Sequence, residues 1–342
     1  MTELIITKPD DMHLHLREGE MLKAVIHHTA NQFSRAIVMP NLSDPITTSE
    51  KAQNYFDQIK SFCPNFSPLM TIYFSDQLNN KELLKIRDSS IIFGIKLYPS
   101  GVTTNSDRGV NSIDDCFHIF EGMEKNDIPL LIHGEVNDPD VDIFDREKVF
   151  IDRHLEKITR QFPNLRVVFE HISTKDAVEF VIDGSETLAA TITPQHIMMN
   201  RNHLLSGGIK PHNYCLPVLK RSSHQKSVLE AALSGNPKFF LGTDSAPHLK
   251  NQKESSCGCA GVYSAPYAMP MYAQIFDQNN ALEKLEPFAS FYGADFYKLP
   301  RNSAKLKLIK EKTQVSQSIK INNQEVIPYL AGCELDWQIV SN

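Results

Sequence analysis

Two histidines separated by a single residue lie near the start of the chain, in the segment DMHLHLRE (11–18). Alternate residues of a β-strand point to the same side, so we expect His13 and His15 to bind one metal ion together. Four further polar residues each come near the end of an apolar run: Lys96, His133, His171 and Asp244. A single buried histidine is commonly a core residue with its hydrogen bonds satisfied, but six buried polar groups without partners would be costly. The set therefore predicts a metal site.

Lys96 is the unusual member of this set, because an ammonium group has no lone pair to offer and repels divalent cations. Taken alone, Lys96 would be interpreted as an ion-paired lysine or as one that reaches solvent along an apolar surface. Beside four histidines, reaction of its amine with CO2 removes the conflict. The product is an anionic carbamate whose two oxygens can bridge two metal ions. Lys96 is therefore predicted to be an N6-carboxylysine.

The segments that position these residues alternate between short apolar runs and stretches of helix length, which is typical of parallel βαβ units. The eight runs are residues 4–16, 35–42, 69–75, 91–100, 128–136, 165–173, 188–197 and 239–248. Eight such units predict an α/β fold, the (β/α)8 or TIM barrel, in which the carboxyl ends of the strands carry the chemistry. Short alternating pieces follow residue 300. We expect one domain over residues 1–342, with 301–342 as a small C-terminal tail packed on the barrel.

Composition limits the class of protein. The chain has 342 residues, 35 of them basic and 41 acidic, and a formal net charge of -6, which argues against a nucleic-acid partner because phosphate contacts need a basic face. No window approaches a membrane span and no signal peptide is recognised, so we expect a cytoplasmic protein without a membrane partner. The six cysteines are then expected to be reduced. For Cys257 and Cys259, a zinc site is a weaker interpretation than an ordinary loop.

The chain also resembles the short, bacterial-type dihydroorotases of the amidohydrolase superfamily, essentially from end to end. The motifs that carry the resemblance are DMHLHLRE (11–18), MPNL (39–42), KLYPSGVTTNS (96–106), IHGE (132–135), FEHIS (169–173), TPQH (193–196), NYCLPVLKR (213–221), LGTDSAPH (241–248) and KESSCGCAG (253–261). The last three are specific to dihydroorotases, whereas the first is shared across the superfamily.

The resemblance implies two Zn²⁺ ions per subunit, bridged by carboxylated Lys96 and a hydroxide. His13, His15 and Asp244 would hold one ion, and His133 and His171 the other. Asp244 would also be the catalytic residue that carries a proton to the leaving nitrogen. The implied substrate-binding residues are Arg17, Asn41 and His248 for a carboxylate, the backbones around Leu216 and Ala260 for the edge of a pyrimidine ring, His133, and Thr103 and Thr104 in a mobile loop over residues 99–108.

The implied reaction is the reversible hydrolysis of (S)-dihydroorotate to N-carbamoyl-L-aspartate, with ring closure in de novo pyrimidine biosynthesis, by a homodimer. A different cyclic amidase, such as a hydantoinase or allantoinase, is one alternative. Those enzymes usually add a β-sandwich built from long flanking segments, and only twelve residues precede His13. A catalytically inactive dihydroorotase-like partner protein is the other, although it would be expected to lose metal ligands. His196, at the end of the seventh run, and His212 are left open as supporting residues.

Overall fold

Eight parallel strands form the central sheet of the computed structural model, which describes residues 2–75 and 78–340. Outside this sheet lies β1 (Glu3–Thr7). The eight strands, in chain order and in sheet order, are β2 (Asp10–Leu14), β3 (Arg35–Val38), β4 (Ser67–Tyr73), β5 (Ile92–Leu97), β6 (Leu130–Ile132), β7 (Val167–Phe169), β8 (Leu188–Ile192) and β9 (Phe239–Leu241). A parallel bridge between Leu14 and Ser245 joins the two ends of the sheet. The predicted (β/α)8 barrel is confirmed.

Helices connect successive strands, as parallel pairing requires. They are α1 (Gly19–Ala30), α2 (Ser49–Phe62), α3 (Asn80–Asp88), α4 (Phe117–Lys125), α5 (Arg146–Phe150), α6 (Glu156–Gln161), α7 (Lys175–Asp183), α8 (Pro194–Met198), α9 (Arg201–Leu205), α10 (Ser222–Ala232), α11 (Lys250–Lys253), α12 (Ala268–Gln278) and α13 (Tyr292–Phe296). Short 3-10 turns lie at 114–116, 211–213, 265–267 and 282–284, and π turns at 151–155 and 287–291. Within the described ranges, no helix has the length and apolar character needed to cross a membrane.

Helix α2 shows how local sequence defines these elements. It begins after Thr48, whose hydroxyl accepts a hydrogen bond from the backbone N–H of Lys51 at 3.3 Å and so satisfies one of the free N–H groups of the first turn. Ala52, Tyr55 and Ile59 are spaced by three and four residues and are buried. That spacing places them on the one face that packs against the barrel.

Both faces of the barrel strands are buried, and alternate residues pack on opposite sides. In β3, Ala36 and Val38 belong to the large apolar cluster shared with the helices, whereas Ile37 belongs to a second cluster. In β9, Phe240 joins the second cluster between two neighbours that face the helices. Other members of this interior cluster are Met12, Met39, Leu69, Leu131, Val168, Ala189 and Tyr297. The interior of the barrel is thus a packed core rather than an open channel.

The C-terminal segments form small antiparallel sheets. The strands are β10 (Lys305–Ile309), β11 (Thr313–Gln314), β12 (Ile319–Ile321), β13 (Gln324–Val326), β14 (Glu334–Leu335) and β15 (Gln338–Ile339). β10 pairs with β1 on one side and β15 on the other. Trp337 is fully buried, and its indole N–H donates to Asp277 of α12 at 3.1 Å. These contacts attach the C-terminal segments to both the N-terminus and the barrel helices.

None of the eight runs matches its strand in both bounds, and two of the runs contain a second element. The run 4–16 contains two strands in different sheets, β1 and β2, with Pro9 between them. Proline has no N–H for a strand ladder, so a break at this point is physically expected. The run 188–197 ends earlier than predicted: Thr193 caps α8 through its hydroxyl, Pro194 occupies the first turn, and His196 lies in that helix. A Thr-Pro pair followed by a polar residue is itself a helix-start signal.

Leu131→Ala should test the packed interior of the barrel. Leu131 is fully buried in the interior cluster, so the shorter side chain removes apolar contacts and leaves a cavity. We expect the free energy of unfolding in urea to fall by about 3 kcal/mol. Leu84→Ala is the matched control, because Leu84 is 44% exposed and its truncation should cost about 0.5 kcal/mol or less. Equal losses in the two variants would contradict a packed interior.

Candidate metal centre and substrate cavity

Barrel closure brings the first predicted ligands together. The backbone N–H of Asp244, which follows β9, donates to the carbonyl of His13 at 2.8 Å, and the N–H of His15 donates to Ser245 at 3.0 Å. One carboxylate oxygen of Asp244 lies 3.1 Å from Nε2 of His15 and 3.4 Å from Nε2 of His13. The three ligand atoms therefore meet in one group that has the size and donor types of a metal site.

A second group of possible ligands shares His13 with the first. Its members are His13, Glu170 and His171, whose ligand atoms all lie within 4.8 Å of one another. Glu170 and His171 follow β7 directly. His133, which follows β6, stands beside them, because the ring centroids of His133 and His171 are 4.7 Å apart. All five predicted histidine and aspartate ligands thus lie at one end of the barrel.

Lys96 is also at this place, but the structure shows a partner that the sequence reasoning missed. The side chain of Lys96 is fully buried, and its ammonium is in close contact with Glu170 Oε2. The same oxygen contacts Nδ1 of His13. Burial lowers the pKa of Lys96 even though the Glu170 charge opposes this change. Glu170 could have been suspected from FEHIS, where an acidic residue stands inside a buried apolar run beside a predicted ligand.

Glu135 is the second functional candidate that the sequence reasoning missed. Its carboxylate is fully buried, and Oε2 lies 2.9 Å from Nε2 of His133. Lys220 Nζ is 3.8 Å from the other oxygen. A carboxylate on one ring nitrogen of a histidine fixes the ring and directs the other nitrogen at a ligand. Glu135 therefore orients His133, and its place in IHGE, two residues after that histidine, was the available signal.

Several buried polar atoms near this centre make no hydrogen bond within the described residues. Three such atoms are Nδ1 of His171, Oε1 of Glu170 and Oε1 of Glu135. Unsatisfied buried polar atoms are unfavourable, and these are imidazole nitrogens and carboxylate oxygens. Both are ligands of zinc and related cations. The donor set fits a bound divalent metal.

The protonation states of Asp244, His15 and His171 agree with that fit. Burial favours the neutral form of Asp244, but hydrogen bonds with His13 and His15 and the nearby charges hold its pKa well below the usual value. Burial lowers the pKa of His15 to about 4. Burial and the neighbouring His133 also lower the pKa of His171. Near neutral pH, the carboxylate is ionised and these two imidazoles are neutral, the forms that have lone pairs for a cation.

Three candidate residues adopt backbone conformations that side chains rarely take. The φ angles are +63° at Arg17, +43° at His171 and +47° at Asp244. Each lies just beyond a barrel strand, where the chain turns out of the sheet. Left-handed backbone at residues other than glycine costs about 1 to 3 kcal/mol and is concentrated at functional sites. Here it directs ionisable side chains back over the end of the barrel.

Most of the predicted substrate residues line one small cavity beside the possible metal ligands. Its walls include Arg17, Asn41, Thr103, Thr104, His133, Leu216, Asp244 and Ala260. His248 stands behind Arg17, whose terminal guanidinium nitrogen lies 2.9 Å from His248 Nε2. The structure therefore places the predicted substrate residues together, and their polar side chains lie in or beside this cavity.

The loop over residues 99–108 lies across the mouth of this cavity. Asn41 Nδ2 donates to the carbonyl of Thr104 at 3.0 Å, and Asn105 Nδ2 donates back to the carbonyl of Asn41 at 3.0 Å. The hydroxyl of Thr104 reaches the carbonyl of Ala260 at 3.4 Å. Asn41 therefore contacts the loop as well as the cavity.

The two histidines left open have different surroundings. His196 is buried, and its Nε2 lies 2.8 Å from the carbonyl of Pro217, so it supports the chain beside Leu216. His212 lies on the surface and pairs with Glu254 at 2.8 Å. Cys257 is exposed and Cys259 is half-buried, and both are free thiols.

The chain belongs to the amidohydrolase family, whose model matches residues 5–311. Among curated relatives, the dihydroorotase of Acaryochloris marina is 53% identical over 343 residues, and the match covers 99% of each chain. Among solved structures, a dihydroorotase from Campylobacter jejuni is 38% identical with a TM-score of 0.92, covering 99% of this chain and 98% of that one. A dihydroorotase from Saccharomyces cerevisiae, in complex with 5-fluoroorotic acid, is 33% identical with a TM-score of 0.93, covering 99% of both. Within the amidohydrolases, the chain is an enzyme of the dihydroorotase family, as its motifs predicted.

Glu135→Gln tests the pairing with His133. An amide is a weaker acceptor than a carboxylate, so the ring should be held less firmly and zinc affinity should fall about tenfold or more. Competition with a chelator, followed by elemental analysis, measures this affinity. The control is Glu254→Gln, which changes an exposed carboxylate that also pairs with a histidine. Unaltered zinc affinity in Glu135→Gln would contradict the orienting role.

Proposed function

We propose that this enzyme catalyses the reversible conversion of (S)-dihydroorotate and water to N-carbamoyl-L-aspartate, closing the ring in de novo pyrimidine biosynthesis. One observation carries the proposal: the cavity that holds the cluster of possible metal ligands is also lined by Arg17, with His248 beside its guanidinium. A planar guanidinium is suited to bind a carboxylate through two parallel hydrogen bonds. The cavity can therefore bind a small anion beside a hydrolytic centre.

The residues that would hold two zinc ions are the five predicted histidine and aspartate ligands at this end of the barrel. His13, His15 and Asp244 would hold one ion and His133 and His171 the other. When bound, zinc ions activate water for attack near neutral pH and polarise the carbonyl that is attacked.

A carboxylated Lys96 would join the two ions. Its burial supports this modification, because a lowered amine pKa increases the fraction of the neutral amine that reacts with CO2. Carboxylation replaces the ammonium by an anion, so the present ion pair between Lys96 and Glu170 would be lost.

Asp244 is proposed to move the proton that ring opening requires. Its ionised carboxylate lies between His13 and His15 at the floor of the cavity. As water adds to the amide carbonyl, one carboxylate oxygen accepts a water proton. The same group then gives this proton to the ring nitrogen as the carbon–nitrogen bond breaks, because an unprotonated amide nitrogen leaves poorly. Ring closure follows these steps in reverse.

The other cavity residues are proposed to bind and orient the substrate. Arg17, Asn41 and His248 would bind its carboxylate, and the backbones at Leu216 and Ala260 would bind the edge of the ring. Thr103 and Thr104, in the loop across the mouth, would cover the bound substrate and exclude bulk water. Such exclusion strengthens each electrostatic contact inside the cavity.

The relatives support this proposal over the alternatives. The yeast enzyme was solved with 5-fluoroorotic acid, a pyrimidine that bears a carboxylate, as dihydroorotate does. Hydantoin and allantoin are neutral, so they would leave the Arg17 charge unpaired. An inactive partner protein is also disfavoured, since the predicted ligands are present and grouped. The homodimer is a prediction from the family resemblance, and the cytoplasmic location is a prediction from the sequence, in which no signal peptide or membrane span is recognised.

The direct test is a turnover assay on the purified protein with its metals retained. Opening of L-dihydroorotate is followed by the loss of ultraviolet absorbance, and hydantoin and allantoin serve as comparison substrates. We expect turnover of dihydroorotate alone, with about two zinc ions per chain by elemental analysis. Turnover of a neutral cyclic amide in its place would overturn the substrate assignment, and no turnover in a metal-free protein would favour the inactive-partner alternative.

Asp244→Asn should separate proton transfer from folding. The amide cannot accept the water proton, so kcat for dihydroorotate should fall by about 1000-fold, while part of the bound metal is retained by His13 and His15. Steady-state kinetics and elemental analysis measure the two effects. Asp152→Asn, which alters an exposed aspartate paired with Lys148, should leave both unchanged. Near-normal turnover of Asp244→Asn would exclude the assigned proton transfer.

A further inference from the structure

A buried lysine outside the metal centre makes an unusual set of contacts. Lys253 ends helix α11 and is only 3% exposed. Its ammonium donates to the carbonyls of Tyr214 at 2.8 Å, Cys259 at 2.8 Å and Gly261 at 2.7 Å. An ammonium has three N–H donors, so all three are used, and all three acceptors are backbone oxygens.

These carbonyls belong to two chain segments that are far apart in the sequence. Tyr214 precedes Leu216 by two residues, whereas Cys259 and Gly261 stand on either side of Ala260. The backbone N–H of Gly261 also donates to the carbonyl of Tyr214 at 3.0 Å. The ammonium therefore fastens together the two segments that the proposed function assigns to the edge of the substrate ring.

The second of these segments is in turn tied to the catalytic end of the barrel. Val262 forms a parallel bridge with Ser245, and its carbonyl accepts from Ala246 at 2.9 Å. Gly261 has a φ of +148°, and a Cβ there would lie 2.8 Å from the ring of His248. Only glycine allows this close approach. A shift of the segment around Ala260 would therefore change the distance from the edge of the bound substrate ring to Asp244 and to His248.

The positive charge of Lys253 also affects the groups proposed to bind the substrate carboxylate. Its three bonding partners are neutral carbonyls, so they do not cancel the positive charge. Burial lowers the pKa of Lys253 to about 8, which leaves the ammonium form dominant at neutral pH. Burial lowers the pKa of His248, and the charges of Arg17 and Lys253 lower it further. The region around Arg17 and His248 is thus electropositive beyond the contribution of Arg17 itself, which favours an anionic ligand.

We propose that Lys253 is a positioning residue for substrate recognition: its ammonium holds the segments around Leu216 and Ala260 at one spacing and adds positive charge beside the carboxylate-binding groups. The proposal rests on the proposed function, because that function assigns those segments to the substrate. Lys253 touches neither the metal ligands nor the reacting atoms. Its loss should therefore weaken the binding of dihydroorotate without removing the chemistry.

Lys253→Met tests this role, because methionine keeps an unbranched side chain and removes the donors and the charge. We expect KM for L-dihydroorotate to rise about tenfold or more, the size of effect that charged hydrogen bonds produce. We expect kcat to change less than threefold or so and zinc content to stay at the parent value. Lys253→Gln, which restores amide donors but no charge, should give a smaller rise in KM.

Lys250→Met is the matched control, since Lys250 lies in the same helix with its side chain 46% exposed and contacts no substrate segment. Its KM should equal that of the parent. A parent-like KM in both Lys253 variants would overturn the proposal. So would a loss of zinc and kcat together in both, because this result would mean a general structural role. If the parent enzyme does not turn over dihydroorotate, both the proposed function and this inference fail. If the parent turns it over and the Lys253 variants have a parent-like KM, only the inference fails.

Discussion

Closure of the barrel is the constraint on which the rest of the site depends. The last strand is followed by Asp244, and the first ends at His13 and His15. Backbone hydrogen bonds from Asp244 to His13 and from His15 to Ser245 hold the two ends in register. Without this seam, the carboxylate would not lie between the two imidazoles. Hydrogen bonding at this seam continues through the bridge from Ser245 to Val262, so the candidate metal centre and the proposed ring-binding segment share one support.

A high density of buried charge distinguishes the carboxyl end of the barrel from its apolar interior. Lys96 with Glu170 and Lys220 with Glu135 are opposite charges that are almost completely buried. Such pairs are weak evidence for stability, because their desolvation opposes their attraction. Their positions suggest a different role, since each carboxylate contacts a histidine of the ligand groups. The pairs hold ligands in place, and carboxylation of Lys96 would change the balance of charge at the centre of the site.

In the proposed function, substrate binding and catalysis use different parts of the structure. The proposed chemistry lies on residues at or just beyond the carboxyl ends of barrel strands, where backbone hydrogen bonds to neighbouring strands hold the chain. The proposed substrate recognition uses the segments around Leu216 and Ala260, which lie outside the barrel strands. A single ammonium, that of Lys253, supplies three of the bonds that join them. One buried cation can hold two segments together in this way, because the dipoles of three carbonyl groups point at the same charge.

The barrel and the family could be predicted from the sequence, and the sequence also named the residues that the structure gathers at the candidate site. Short apolar runs between helices allow few other architectures, and His13, His15, His133, His171 and Asp244 stand at their ends in motifs of high specificity. Two features could not be predicted, because each depends on contacts between residues far apart in the sequence. The division of the first run between two sheets depends on the pairing of β1 with β10, a partner near the other end of the chain. The contacts of Glu170 with Lys96, of Glu135 with His133 and of Lys253 with three carbonyls depend on which side chains folding brings together. The partner of a charged residue cannot be identified from its neighbours in the sequence, because the packing of distant segments selects the opposite charge or dipole that contacts it.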